Sequence, residues 1–150
     1  MANTIENLKN ELNNIPNLEV INNHSDVKRL SRDFYNYSPV LQKRLEGCLA
    51  DVVVRPKNID SLLAVSKICW ELSIPLTIRG GGTGNYGQAV PLAKGIVLQM
   101  NYFNKLEKYY PDSGFVKVQS GCLMGDLNRE LAKYGRELRL FPSTWKTASI

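Results

Sequence analysis

Histidine occurs once, at position 24, and the three cysteines (Cys48, Cys69, Cys122) are far apart with no CxxC pair. Structural zinc sites need several such ligands at set spacings, so none is expected. An odd, widely spaced set of thiols builds no disulfide framework and reads as reduced cysteines in a cytoplasmic protein. No apolar run approaches the roughly 18 residues that read as a membrane-spanning helix. The start, Asn3-Thr4-Ile5-Glu6, has neither a basic lead nor an apolar core, so no signal peptide is expected. Blocks of like charge are absent too. The net charge of +5 is scattered, with the Lys43-Arg44 pair taken as its densest cluster. Nucleic-acid binding predicts aromatics interleaved with basic residues on one strand face, and no such pattern is present. The mild excess suits a site for a phosphorylated anion.

Apolar residues make up 43% of the 150, enough for one ordinary core. Ile5, Leu8, Leu12 and Ile15 recur at helical spacing, with Asn3 as the expected cap, Glu6 at the capping-box position and Pro16 as the stop. A short helix is expected from Ser25, with Val27, Leu30 and Phe34 on one face, and residues 35–50 read as an irregular connection. Residues 1–50 thus form a helical lead-in to a domain over 51–150.

Val52-Val53-Val54 reads as a buried strand. Asn58 then caps a helix with Ile59, Leu62, Leu63, Cys69 and Leu72, followed by a strand at 76–78 and a third at 96–98. This spacing predicts a parallel strand–helix–strand unit. Pro111-Asp112-Ser113-Gly114 is a turn between strands at 106–110 and 115–119, with Val116 and Val118 on one face. A helix with Leu123, Leu127 and Leu131 is capped by Gly135, and an extended piece starts at Leu138. The expected class is α+β: a small parallel subdomain and the start of an antiparallel one.

The chemistry concentrates in Arg79-Gly80-Gly81-Gly82-Thr83-Gly84-Asn85-Tyr86-Gly87-Gln88. Five glycines in eight residues remove side chains where the backbone must approach something closely. Successive free N–H groups make a nest for an anion, with Arg79 as a positive charge at its entrance. Gly82 to Gly87 spells GxGxxG literally, but that fingerprint must open a helix, and Pro91 with the strand at 96 leaves no room. The Walker pattern fails because no Gly-Lys-Ser/Thr follows. What remains is a diphosphate loop between two strands, without a helix.

Val53-Val54-Arg55-Pro56, Ile74-Pro75-Leu76 and Arg79 to Gly84, followed in order by Gly95-Ile96-Val97-Leu98, Gly121 and Phe141-Pro142, resemble the FAD-linked oxidases of the vanillyl-alcohol-oxidase superfamily, whose flavin domain is called PCMH-type. The resemblance covers residues 51–150. It implies that FAD lies between two α+β subdomains and that Arg79, Gly80, Gly81, Gly82, Thr83, Gly84, Asn85 and Gln88 wrap its diphosphate. It further implies that Gly121, Pro142, Ser143, Thr144, Ser149 and Ile150 line the cofactor. Some relatives, the berberine bridge enzymes and cytokinin dehydrogenases, bond the flavin through a histidine, and the matching residue here is Thr83. The berberine-bridge-like members add a cysteine, and the matching residue is Thr147. Both departures imply non-covalent FAD.

The family closes the 148–150 segment with a Gly-Gly pair that this chain does not contain, so weak FAD retention by these residues alone is expected. The implied activity is oxidation of an alcohol or 2-hydroxy acid, a small-molecule substrate held by a separate C-terminal domain; no residue here is assigned as the catalytic base. The alternative is a non-catalytic binding module that keeps the fold without a complete cofactor site. Cys122, Tyr86 and Trp70 are all expected to be packing residues, with Trp70 partly buried.

Overall fold

The computed structural model describes residues 2–150, with side chains from Glu6 onward, so the expected roles of Asn3 and Ile5 fall outside the described side chains. Helix α1 runs Ala2–Asn13 and ends before Pro16, with Leu8 and Leu12 buried. Strand β1, Leu18–Ile21, follows at once. No strand is expected there from sequence, because four residues with a glutamate among them give too short an alternation. The glutamate is satisfied across the sheet: Glu19 pairs with Arg55 at 2.8 Å. Helix α2, His24–Leu30, is capped by the Asn23 side chain, which accepts the Asp26 N–H.

Residues 35–50 are more regular than expected. A single 3-10 turn at Tyr35–Tyr37 leads into helix α3, Pro39–Leu45, where Ser38 Oγ accepts the Leu41 N–H. Serine followed by proline is an N-cap and first-turn signature, so the signal was there to be read.

Strand β2, Val52–Pro56, is the centre of the larger sheet. Successive side chains point to opposite faces. Val52 and Val54 accordingly join Leu8, Leu12, Val65, Ile96 and Leu98 in one core, while Val53 joins Ile21, Val27, Leu30 and Val97 in the other. A strand buried on both faces has no polar alternation, which is why the valine run is continuous. Helix α4, Ile59–Glu71, starts on the Asn58 capping box and leads to β3, Leu76–Arg79. Strand β4, Ile96–Gln99, lies between β2 and β3 and is parallel to both, giving the order β1-β2-β4-β3 with β1 antiparallel.

Strands β5, Leu106–Tyr110, and β6, Phe115–Val118, form the expected antiparallel hairpin. Helix α5, Met124–Ala132, packs Leu127 and Leu131 with Cys122 against Val116 and Val118. Gly135 has φ 65°, and the Arg136 N–H beyond it returns to the Leu131 carbonyl, ending the helix as expected. The extended piece expected from Leu138 forms no strand. Its Leu138 N–H is held instead by the Asn128 side chain of α5. Together these layers make an α+β chain with a parallel and an antiparallel sheet. Among the described residues no helix is long and apolar enough to cross a membrane.

Candidate functional site

The glycine loop leaves β3 at the carboxyl end of the parallel strands, the edge where open α/β sheets place their ligands. β3 is tied to the chain after β4 by the Met100 N–H bonded to the Arg79 carbonyl, 2.9 Å. What the loop approaches closely is, first, its own chain. A Cβ on Gly80 would overlap the Ser149 hydroxyl, and one on Gly81 would overlap the Thr147 carbonyl oxygen. The Gly81 N–H donates to Ser149 Oγ at 3.1 Å.

The partner segment is itself well fixed. The N–H groups of Thr147 and Ala148 both bond to the Thr144 carbonyl at 2.8 Å, and that of Trp145 to Pro142. Ser149 bridges Leu123 in antiparallel fashion, with the Met124 N–H on the Ala148 carbonyl and the Ile150 N–H on Cys122. Residues distant in sequence, 79–88 and 142–150, are thereby brought together, as the expected site requires.

Arg79 does not stand at the loop's entrance. It is 8% exposed and lies beneath the loop, where Nη1 donates to the Arg32 carbonyl and the guanidinium fills the space a Gly82 side chain would take. Gly82 has φ 67°, a backbone that brings the loop over this guanidinium. Burial pushes the Arg79 pKa below its ordinary value, and the Asp33 carboxylate opposes that shift.

Gly84 lies against Gln88 and Asp33, and its carbonyl accepts the Phe34 N–H at 2.7 Å. Gln88 Oε1 in turn accepts the Tyr86 N–H at 3.0 Å, bracing the loop from within. The N–H groups of Gly82, Thr83, Gly84 and Asn85 donate to no acceptor among the described residues. Free successive donors of this kind are what an anion nest requires.

Two cavities flank the loop. One, of about 570 Å³, is lined by Thr83, Gly84, Asn85, Gln88, Pro142, Ser143 and Thr144, with Phe34, Tyr37, Tyr86 and Ala148. The other, of about 630 Å³, lies between α2 and the loop and includes Arg79, Gly81 and Gly82. A third, of about 620 Å³, sits under the hairpin turn near Gly135 and Arg136, away from the loop, so size alone does not select the site. Gly121 lines neither loop cavity. It packs on the turn after β4, where a Cβ would overlap the Met100 carbonyl oxygen, and its N–H bonds to Phe103. Ser149 and Ile150 touch the site only through backbone pairing and the Gly81 bond.

Sequence reasoning missed the part contributed by residues 28–37. Lys28, Arg29 and Arg32 all line the cavity beside Arg79, so the positive charge is less scattered than its spacing suggested. Their spacing of one and four residues, at the end of a short helix and just beyond it, was the available signal. Trp70 is 86% exposed and Tyr86 74%, so neither is the packing residue expected from sequence. Cys122 is buried, and that burial pushes its thiol up, as suits an inert core residue.

A family model described as "FAD binding domain" matches residues 50–150. Among curated proteins, the chain is 28% identical over 136 residues to the glycolate oxidase subunit GlcD of Escherichia coli, covering 91% of this chain and 26% of that one. It is 35% identical over 85 residues to a D-lactate dehydrogenase of Anaerostipes hadrus, covering 57% of this chain and 18% of that one. The chain therefore spans at most about a quarter of the length of these relatives. Among solved structures, an alkyldihydroxyacetonephosphate synthase superposes with a TM-score of 0.74 at 16% identity, over 99% of this chain and 30% of that one. A 4-ethylphenol oxidase from Gulosibacter chungangensis superposes with a TM-score of 0.73 at 20% identity, over 99% of this chain and 27% of that one.

Proposed function

This chain belongs to the FAD binding domain family and FAD is its cofactor, and we propose that the free N–H groups of residues 82–85 hold the FAD diphosphate between the 79–88 loop and the 142–150 segment. The observation that carries this reading is the set of four successive amides with no acceptor among the described residues, next to a cavity that both segments line. Backbone donors suit an anion whose oxygens need several N–H partners at fixed positions. The glycines fit this role indirectly. Gly80 and Gly81 let the 147–149 segment close on the loop, and Gly82 lets the loop rest on Arg79. Gln88, which accepts the Tyr86 N–H, and the Phe34 N–H on the Gly84 carbonyl fix the turn that aims the amides.

We assign the chain to an FAD-linked oxidoreductase that oxidises an alcohol or a 2-hydroxy acid. The names of its relatives support this: glycolate, D-lactate and, for a further relative of Escherichia coli, D-2-hydroxyglutarate are each 2-hydroxy acids. FAD, when bound, accepts the hydride equivalent that leaves the substrate carbon. The substrate pocket is assigned to a separate C-terminal domain of the kind the longer relatives have room for, and the cofactor segments to residues 51–150, with α1, β1 and α2 packed on the same sheet. FAD is held non-covalently, because the hydroxyls of Thr83 and Thr147 are weak nucleophiles, and Thr147 Oγ1 is already donated to the Thr144 carbonyl. A cytoplasmic setting belongs to the same reading, supported by the free cysteines.

Titration with FAD, followed by quenching of flavin emission, tests the site. Alanine at Asn85 should leave binding nearly intact, since only its backbone takes part. Proline at Asn85, which removes one of the four amides, should weaken binding by about tenfold. Equal affinities for the two variants would remove the backbone-nest assignment.

A further inference from the structure

The face of the glycine loop turned toward α2 carries more positive charge than nearby acids balance. Lys28 and Arg29 in the last turn of α2, Arg32 just beyond it and Arg79 at the end of β3 line one cavity, with Gly81 and Gly82 on its wall. Among the described residues Asp33 is the only acid on that lining. Arg29 is paired with Asp26 at 2.8 Å, but Lys28, Arg32 and Arg79 have no carboxylate within 4.0 Å among the described residues.

The buried polar atoms here are also incompletely satisfied. Nε of Arg32, Nε of Arg79 and Oδ2 of Asp33 have no hydrogen-bond partner among the described residues, and Arg79 and Asp33 are only 8% and 7% exposed. Cations held together in a partly desolvated pocket repel one another strongly, and a seated anion offsets that cost. The rings of Phe34 and Tyr37, with centroids 6.0 Å apart, flank the same cavity and give it an aromatic wall.

We propose that this cavity is an oxyanion site for a phosphate-type ligand, with Lys28, Arg32 and Arg79 as its charge partners and Gly82 on its wall. Residues 28–37 lie outside the 50–150 span matched by the family model, so family membership does not assign them this role. The phosphate is either that of FAD itself, in which case the site rests on the diphosphate reading above, or that of a separate phosphorylated ligand. Three unpaired cations against one acid select for a di- or trianion over a neutral group. Arginine favours phosphate because its planar fork donates two parallel N–H bonds.

Nitrogen-15 NMR of the 150-residue chain, titrated with inorganic pyrophosphate, tests this. The site predicts saturable shifts of the arginine Nε–H signals of Arg32 and Arg79 and of the Gly82 amide. Lys28 is exposed, so Lys28→Gln should fold normally. It should weaken pyrophosphate by about three- to tenfold, and Lys28→Arg should restore it. Addition of FAD separates the two sources. Loss of the pyrophosphate shifts on FAD binding assigns the site to the cofactor's diphosphate. Pyrophosphate retained while FAD shifts Thr83 to Gln88 assigns it to a second ligand. Both outcomes support an oxyanion site. Pyrophosphate shifts confined to Thr83–Gln88, equal affinities for wild type and Lys28→Gln, or no saturable shift up to about 10 mM would each overturn it. FAD binding measured in the same samples reports on the cofactor reading independently.

Discussion

Alanine at Gly81 probes the seam on which the site depends. Gly81 is not in the left-handed region, so the added methyl meets a problem of space and not of backbone conformation. Its Cβ would overlap the Thr147 carbonyl oxygen, with Thr147 C at 3.2 Å and Ser149 N at 3.3 Å. These are backbone atoms and cannot rotate aside, so one of the two segments must move. The movement stretches the 3.1 Å bond from Gly81 N–H to Ser149 Oγ. Overpacking costs about 1–3 kcal/mol, and a lost hydrogen bond adds about 1 kcal/mol. The sum is about 2–4 kcal/mol, which for a chain of this size lowers the melting temperature by roughly 5–15 °C.

Because the displaced 142–149 segment also lines the cavity, FAD affinity should fall by about tenfold or more. The control is Gly47→Ala, where an added Cβ meets nothing within 4 Å, and the change should stay within about 0.5 kcal/mol. Both variants would be followed by thermal melts with and without FAD and by flavin titration. If Gly81→Ala melts within about 1 °C of Gly47→Ala and binds FAD equally well, the close approach of the two segments is refuted.

Gly82→Val places a branched side chain at φ 67° and onto the Arg79 guanidinium, so FAD binding should weaken at least about tenfold; unchanged affinity would contradict the loop assignment. Acid precipitation of the FAD-loaded protein should leave the yellow colour in the supernatant, whereas a flavin adduct on a peptide within residues 79–150 excludes the non-covalent assignment. Native protein at pH 8 should react with a thiol-specific disulfide reagent at Cys48 only, with Cys69 and Cys122 released by denaturant, because both are buried and their thiols are pushed above the ordinary 9.0. In the hairpin, the Glu107–Lys117 pair at 2.8 Å lowers Glu107 from its ordinary 4.5 and raises Lys117 from 10.5. Its stabilisation is therefore full between those values, is lost on acidification as Glu107 protonates, and is lost above pH 10.5 as Lys117 deprotonates. Glu107→Gln should flatten both limbs in thermal melts, and an unchanged pH profile would count against the pair.

Much of the fold was legible because its signals are local. The Val52–Val54 run, the Asn58 cap and the Pro111–Gly114 turn each name their element within a few residues, and all three stand as expected. Strand β1 was not legible, since four residues only become a strand by pairing with β2. Helix α3 is marked locally only by Ser38-Pro39, because its seven residues are too few for a clear apolar period.

The sequence by itself determined that a glycine-rich loop without a helix follows β3, because five glycines in eight residues and the lack of room for a helix depend only on order and spacing. Only the tertiary structure decided what those glycines accommodate. Ser149 and Thr147 come from almost seventy residues downstream, and whether they meet Gly80 and Gly81 depends on how the 122–150 chain folds back, which no local pattern records. The same holds for Arg79, whose charge is visible in the sequence but whose burial beneath the loop follows from the Arg32 carbonyl and the Asp33 side chain, contributed by a segment before β2. Spacing sets which backbone is free to approach; packing sets what it approaches.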